Sequence, residues 1–234
     1  MNREKCGDAV IQVHQVRKSF GGETVLWDIT RDFRRGCIHG IVGNNGSGKT
    51  VLMKCICGFL APDQGEILVN YQRVGRDVDF PGDMGLIIET PGFLPRLTGR
   101  KNLELLASLR GIVGKREIGD VLRQVGLDPA MKKTLGKYSL GMRQRLGLAQ
   151  AIMENPSILI LDEPFNGLDR QGVAQMRELI GGLRDQGKTI ILASHNQADI
   201  DALCDTVCEM DAGHMTMLRG EEDPGDWWRQ GVEV

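Results

Sequence analysis

The chain has 234 residues, with 29 Lys and Arg against 31 Asp and Glu and an apolar fraction of 41%. A length of this order allows one or two domains at about 150 residues each, with a substantial core. The formal net charge of −2 excludes a bulk nucleic-acid coat, and the composition excludes a disordered chain.

In chain order, the first third reads as strands. Val10 to Val16 and a second run from Val25 flank Gly21-Gly22, the pattern of an antiparallel pair. In the second run Val25, Trp27, Ile29 and Phe33 share the odd-numbered face, an alternation that suits a half-buried strand. Cys37 to Val42 is a short apolar run leading into a glycine-rich turn and a helix-like stretch from Lys49 to about Leu60. Pro62-Asp63-Gln64-Gly65 is a turn, and Glu66 to Tyr71 resumes a strand. The middle changes to helical periods. Ile118, Val121, Leu122 and Val125 form one stripe, and Met142, Leu146, Ala149 and Met153 another. An apolar strand at Ile158 to Leu161, a helix carrying Val173, Met176, Ile180 and Leu183, and a strand at Thr189 to Ala193 follow. Strands alternating with helices imply a parallel sheet covered on both faces, here with a helical insertion in one α/β domain.

The longest unbroken apolar runs hold four residues, whereas a membrane-spanning helix needs about 18. The charged start, Met1 to Lys5, has no apolar stretch behind it, so no signal peptide is visible and the chain is expected to cross no membrane by itself. Six cysteines at this length make no disulfide scaffold, and buried, reduced thiols of a cytoplasmic protein are expected. Cys204 and Cys208, with His214 beyond them, would need a shared face and a fourth ligand to hold a metal.

Two motifs carry chemistry. Gly43-Asn44-Asn45-Gly46-Ser47-Gly48-Lys49-Thr50 matches G-x-x-x-x-G-K-[ST] in full, with a strand before it and a helix after. Its glycines let backbone N–H groups close round phosphates at a helix N-terminus. Lys49 supplies a cation for the β- and γ-phosphates, and the Thr50 hydroxyl can ligate Mg²⁺. Ile158 to Leu161 then delivers Asp162-Glu163 to the end of a buried strand, where open α/β sheets bind ligands. Neighbours in a strand project oppositely, which assigns the metal to Asp162 and the attacking water to Glu163. Acids at a strand end also cap the next helix, and that alternative stands on this motif alone.

With these motifs in order, the sequence resembles an ATP-binding cassette (ABC) ATPase over roughly Val10 to Leu218. Tyr138-Ser139-Leu140-Gly141-Met142-Arg143-Gln144-Arg145 is similar to the family signature LSGGQ-x-Q-R, with Leu140 in place of the first glycine and Met142 in place of the first glutamine. Gly167-Leu168-Asp169 resembles the D-loop, Ser194-His195 the switch histidine, and Phe20 stands where the family stacks an aromatic on adenine. The resemblance implies a P-loop NTPase core with a parallel sheet, an N-terminal antiparallel β subdomain and an inserted helical subdomain at about 90–153. The cassette would occupy residues 1–220, with a tail at 221–234 that carries Trp227-Trp228. It implies ATP and Mg²⁺ as ligands, Val51 beside the phosphate loop, and catalysis by Lys49, Glu163 and His195. Ser139 and Gly141 would face the γ-phosphate held by a second cassette, a homodimer being the expected form.

Where the family usually places a magnesium-contacting glutamine, Gly85-Leu86-Ile87-Ile88-Glu89-Thr90-Pro91 presents Glu89, still an oxygen ligand. That residue, with Pro91-Gly92-Phe93 and the altered signature, resembles the bacterial subgroup that exports lantibiotics and bacitracin-like peptides. The resemblance therefore implies an ATPase at the inner face of a membrane, bound to a separate permease, with no nucleic-acid partner. The alternative is a soluble cassette ATPase in nucleic-acid, ribosome or metal-cluster work.

Overall fold

The structure, a computed structural model, describes residues 7–89 and 92–220. In chain order the elements are β1 (Ala9–Phe20), β2 (Glu23–Arg34), β3 (Ile38–Val42), α1 (Lys49–Ile56), β4 (Gln64–Val69), β5 (Gln72–Arg73), β6 (Met84–Ile87) and α2 (Gly99–Arg110). Then follow α3 (Lys115–Gln124), α4 (Leu140–Ile152), β7 (Ile158–Asp162), α5 (Arg170–Asp185), β8 (Thr189–Ala193), α6 (Gln197–Leu203), β9 (Thr206–Asp211) and β10 (His214–Arg219). They fall into two compact units: residues up to Gly82 together with those from Ala193, and Asp83–Leu192.

The first unit contains an antiparallel sheet of order β2-β1-β4-β5. Gly21 and Gly22 turn β1 into β2 as the spacing predicts. The burial phase of β2 departs from strict alternation. Leu26 is buried, then Ile29, Arg31 and Phe33, while Trp27 is exposed. The cause is Asp28, whose φ of 50° breaks the pairing between Val16↔Ile29 and Lys18↔Leu26 and moves the core face by one residue. A second group of strands runs β10-β9-β3, with β3 parallel to β9 and β10 antiparallel to β9. All five residues of β3 are buried. Within it His39 is enclosed. Nε2 lies 2.8 Å from the Arg34 carbonyl and so donates, leaving Nδ1 to accept from the Thr206 hydroxyl at 2.8 Å. Burial, reinforced by Arg31, pushes its pKa down to about 4.

Four cysteines, Cys55, Cys57, Cys204 and Cys208, are free and buried as expected. Burial pushes the Cys55 thiol up to about 11 and those of Cys57 and Cys204 up to about 12, so they act as apolar filling. Cys37 departs from the expectation: it is disulfide-bonded. Among the described residues no cluster of three His, Cys, Asp or Glu is arranged to hold a metal.

The second unit contains the strand order β8-β7-β6, with β6 parallel to β7. β7 and β8 are buried along their apolar residues, as continuous apolar runs require when both faces are covered. Both predicted helical stripes are present. Ile118 and Leu122 are buried on α3, and Leu146 and Ala149 on α4. Side-chain caps set three helix starts: Thr98 accepts from Lys101 N–H, Ser139 from Met142 N–H and Asp169 from Gly172 N–H. No helix among the described residues is long and apolar enough to cross a membrane.

Candidate functional site

In the first unit the chemistry begins where β3 ends. The chain leaves the buried strand at Val42, curls through Gly43 to Gly48 and enters α1 at Lys49. Gly43 has φ 150°, and a Cβ there would lie 2.2 Å from the Met210 carbonyl oxygen, so the curl is open only to glycine. Gly48 caps α1 in the left-handed region and offers no side chain to the first-turn N–H groups. Such groups, at the positive end of the helix, suit an anion. The turn is held by Ser47 N–H donating to Asn44 O at 3.2 Å and Gly213 N–H donating to Ser47 O at 3.1 Å.

Lys49 is buried, and its ammonium donates to Gly43 O at 2.7 Å and Asn44 O at 2.9 Å. The cation is thus held inside the curl by acceptors that a phosphate can replace. The Ser47 hydroxyl is buried without a hydrogen-bond partner, an unspent polar group in the same loop. Asn44, Asn45 and Gly46 are exposed, and Thr50 and Val51, in the first turn of α1, are half-buried. Ser194 belongs to this unit too: its N–H donates to Ile41 O at 3.3 Å, which brings the following His195 beside the end of β3. His195 is exposed. Phe20, the last residue of β1, is 45% exposed, with the Lys18 ammonium 5.5 Å from its ring centre.

In the second unit β7 ends at Asp162, which is half-buried. Glu163 lies beyond the strand with φ 49°, so a left-handed backbone rather than the strand pleat sets its direction. Glu89, exposed two residues past β6, has φ 58°. Residues with side chains rarely occupy this region, and such strain concentrates at functional positions. At α4 the Ser139 hydroxyl caps the helix at 3.2 Å from Met142 N. Gly141 is buried against the turn after β7, since a Cβ there would meet Gly167 O at 2.8 Å. One contact was not anticipated from the sequence: the Gln144 side-chain amide donates to the Glu163 carbonyl at 3.0 Å. Its only advance signal is helical spacing, which sets Gln144 one turn beyond Leu140 on α4.

Residues 26–166, more than half of the chain, match the ABC transporter family. The chain belongs to that family and is an ATP-binding ABC ATPase. It is 39% identical over 206 residues to the uncharacterized ABC transporter ATP-binding protein YybJ of Bacillus subtilis (strain 168), covering 88% of this chain and 94% of the relative. It is also 39% identical to the bacitracin transport ATP-binding protein BcrA of Enterococcus faecalis, over 88% of this chain and 68% of that protein. Against the lantibiotic transport ATP-binding protein SrtF of Streptococcus pyogenes the identity is 32%, over 85% of each chain. A solved ATP-binding subunit of an ABC transporter superposes with a TM-score of 0.79 at 27% identity, covering 89% of this chain and 90% of that one. A dimeric bacterial ABC transporter cassette gives 0.80 over 90% of this chain and all of its own, at 22% identity, a likeness of fold alone.

Proposed function

We propose that this chain is one of two ATP-hydrolysing cassettes of an exporter, powering movement of a peptide antibiotic or related drug through a separate membrane permease. The observation that carries the ATPase part is the phosphate loop, with the Lys49 ammonium held at 2.7 and 2.9 Å by two loop carbonyls. The export part rests on the altered signature and Glu89, and on the likeness to BcrA and SrtF. Residues 1–220 would form the cassette, with a helical subdomain at about 90–153. The tail at 221–234, with Trp227-Trp228, lies outside the described residues.

In this reading Lys49 turns from the loop carbonyls to the β- and γ-phosphates, while the N–H groups of Gly46 to Thr50 wrap them. The Phe20 ring stacks on the adenine. Thr50, Asp162 and Glu89 offer only oxygen atoms, the donor set of a hard cation. These side chains would hold Mg²⁺. When bound, it neutralises charge on the phosphates. Glu163 orients a water and accepts its proton. The water oxygen then bonds to the γ-phosphorus as the bond to the β–γ bridging oxygen breaks, and ADP leaves with that electron pair. His195 donates to the γ-phosphate. Ser139 and Gly141, at the start of α4, meet the γ-phosphate held by a second copy, so two chains complete the reaction.

The test is steady-state ATP hydrolysis by Glu163→Gln. Removal of a general base is expected to lower kcat by about 10²-fold or more with ATP binding retained; full turnover by the variant would refute the assignment. Co-purification from membranes with a protein of several membrane-spanning helices tests the permease partner, and recovery of the tagged chain from membranes without one would count against it.

A further inference from the structure

The first turns of α4 grip the segment after β7 at both of its ends. At the near end, the Gln144 side-chain amide donates to the Glu163 carbonyl at 3.0 Å. Asn166 N–H reaches the same oxygen at 3.2 Å, so both of its acceptor directions are used. At the far end, Leu140 packs on Gly167: a Cβ at Gly167 would lie 2.4 Å from Leu140 Cγ and Cδ2. Gly141 closes on the same point, with its own Cβ position 2.8 Å from Gly167 O. The near hold is on Glu163 itself, which stands at φ 49°, a conformation that persists only where its surroundings impose it. Gln144 makes a side-chain bond to that backbone, and it projects from the same helix whose first residue, after the Ser139 cap, is Leu140.

We propose that Gln144 is a positioning residue for Glu163: it ties the start of α4 to the backbone of the acid, so that engagement of α4 on a phosphate held by the second copy sets the acid's aim in its own chain. The proposal rests on the reading of Glu163 as the group that orients water. Gln144 acts through the Glu163 carbonyl, to which its side-chain amide donates. Leu140 keeps the far end of the segment from yielding, which gives the bulky side chain at this signature position a physical task.

The test uses the full chain with Mg-ATP. Gln144→Glu keeps the shape but has no N–H to donate, and Gln144→Met serves if the carboxylate disturbs folding, with thermal melts checking both. Each is expected to lower kcat about tenfold, the size of one displaced hydrogen bond, with KM for ATP changed less than about twofold. The deciding measurement is single-turnover hydrolysis in the Glu163→Gln background, where the Gln144 substitution should have no further effect. The same tenfold loss in that background would mark a merely structural role and overturn the proposal. Wild-type kcat in folded Gln144 variants, with Glu163→Gln inactive, would also overturn it and leave the reading of Glu163 standing. Full turnover by Glu163→Gln alone would remove that reading and the proposal together.

Discussion

The phosphate loop and the turn after β7 solve the same problem, holding polar groups in an improbable backbone shape, by opposite means. In the loop the shape is intrinsic. Gly43, Gly46 and Gly48 take positive φ at no steric cost, and the buried Lys49 closes the curl from inside. After β7 the strained residue is a glutamate at φ 49°, and its carbonyl is held by the Gln144 side chain of α4 together with Asn166 N–H of the turn. A loop that works through its backbone writes its function into glycine spacing. A turn that works through borrowed contacts does not.

The largest effect that separates the two comes from Gly43→Val. With a Cβ position 2.2 Å from Met210 O, the loop has no room to yield; ATP binding measured by fluorescent-nucleotide titration is expected to fall by about 100-fold or more. Ordinary affinity would show that the curl tolerates a side chain and would erase the contrast.

Next in size is a pH effect confined to the first unit. His39 is held neutral by burial, its pKa moved from 6.5 to about 4. The unfolded chain therefore binds the proton more readily, so this stabilisation is complete above pH 6.5 and is lost as pH falls toward 4, by about 3 kcal/mol. Urea unfolding at pH 7.5 and pH 4.5, for wild type and His39→Gln, checks this. A pH dependence unchanged by the substitution would contradict it.

Smaller still, Ser139→Ala removes the cap of α4 and is expected to cost about 1 kcal/mol in urea unfolding. Leu140→Gly, which restores the residue usual at this position in the family, frees the far end of the segment at Gly167. It is expected to change kcat by about threefold with ATP affinity unaltered; an equal change in affinity would mean that Leu140 acts on nucleotide binding instead.

This contrast also explains what was legible in the sequence. Gly21-Gly22 announced the β1–β2 hairpin, and the apolar runs at Ile158 and Ile190 announced buried strands, because each feature acts on its own neighbours. The bulge at Asp28 was not legible. No local signal separates its left-handed conformation from a regular strand, in which Trp27 would share a face with Ile29 and Phe33; those two are buried, whereas Trp27 stands 40% exposed, against the Arg17 guanidinium at 4.6 Å. The hairpin of β9 and β10 carries no distinctive turn motif beyond Gly213 and was not anticipated. The candidate acids were found from their place after an apolar strand. The bond from Gln144 was not, because its partner is a backbone carbonyl 19 positions away.

In the proposed function two copies of this chain complete each other's phosphate sites, with Glu163 acting after assembly. Light scattering on Glu163→Gln with and without Mg-ATP tests it most directly. A mass near the 25.8 kDa of one chain is expected without nucleotide and twice that with Mg-ATP, returning to the single-chain mass when ATP is removed. A variant that binds Mg-ATP and keeps the mass of one chain would contradict it.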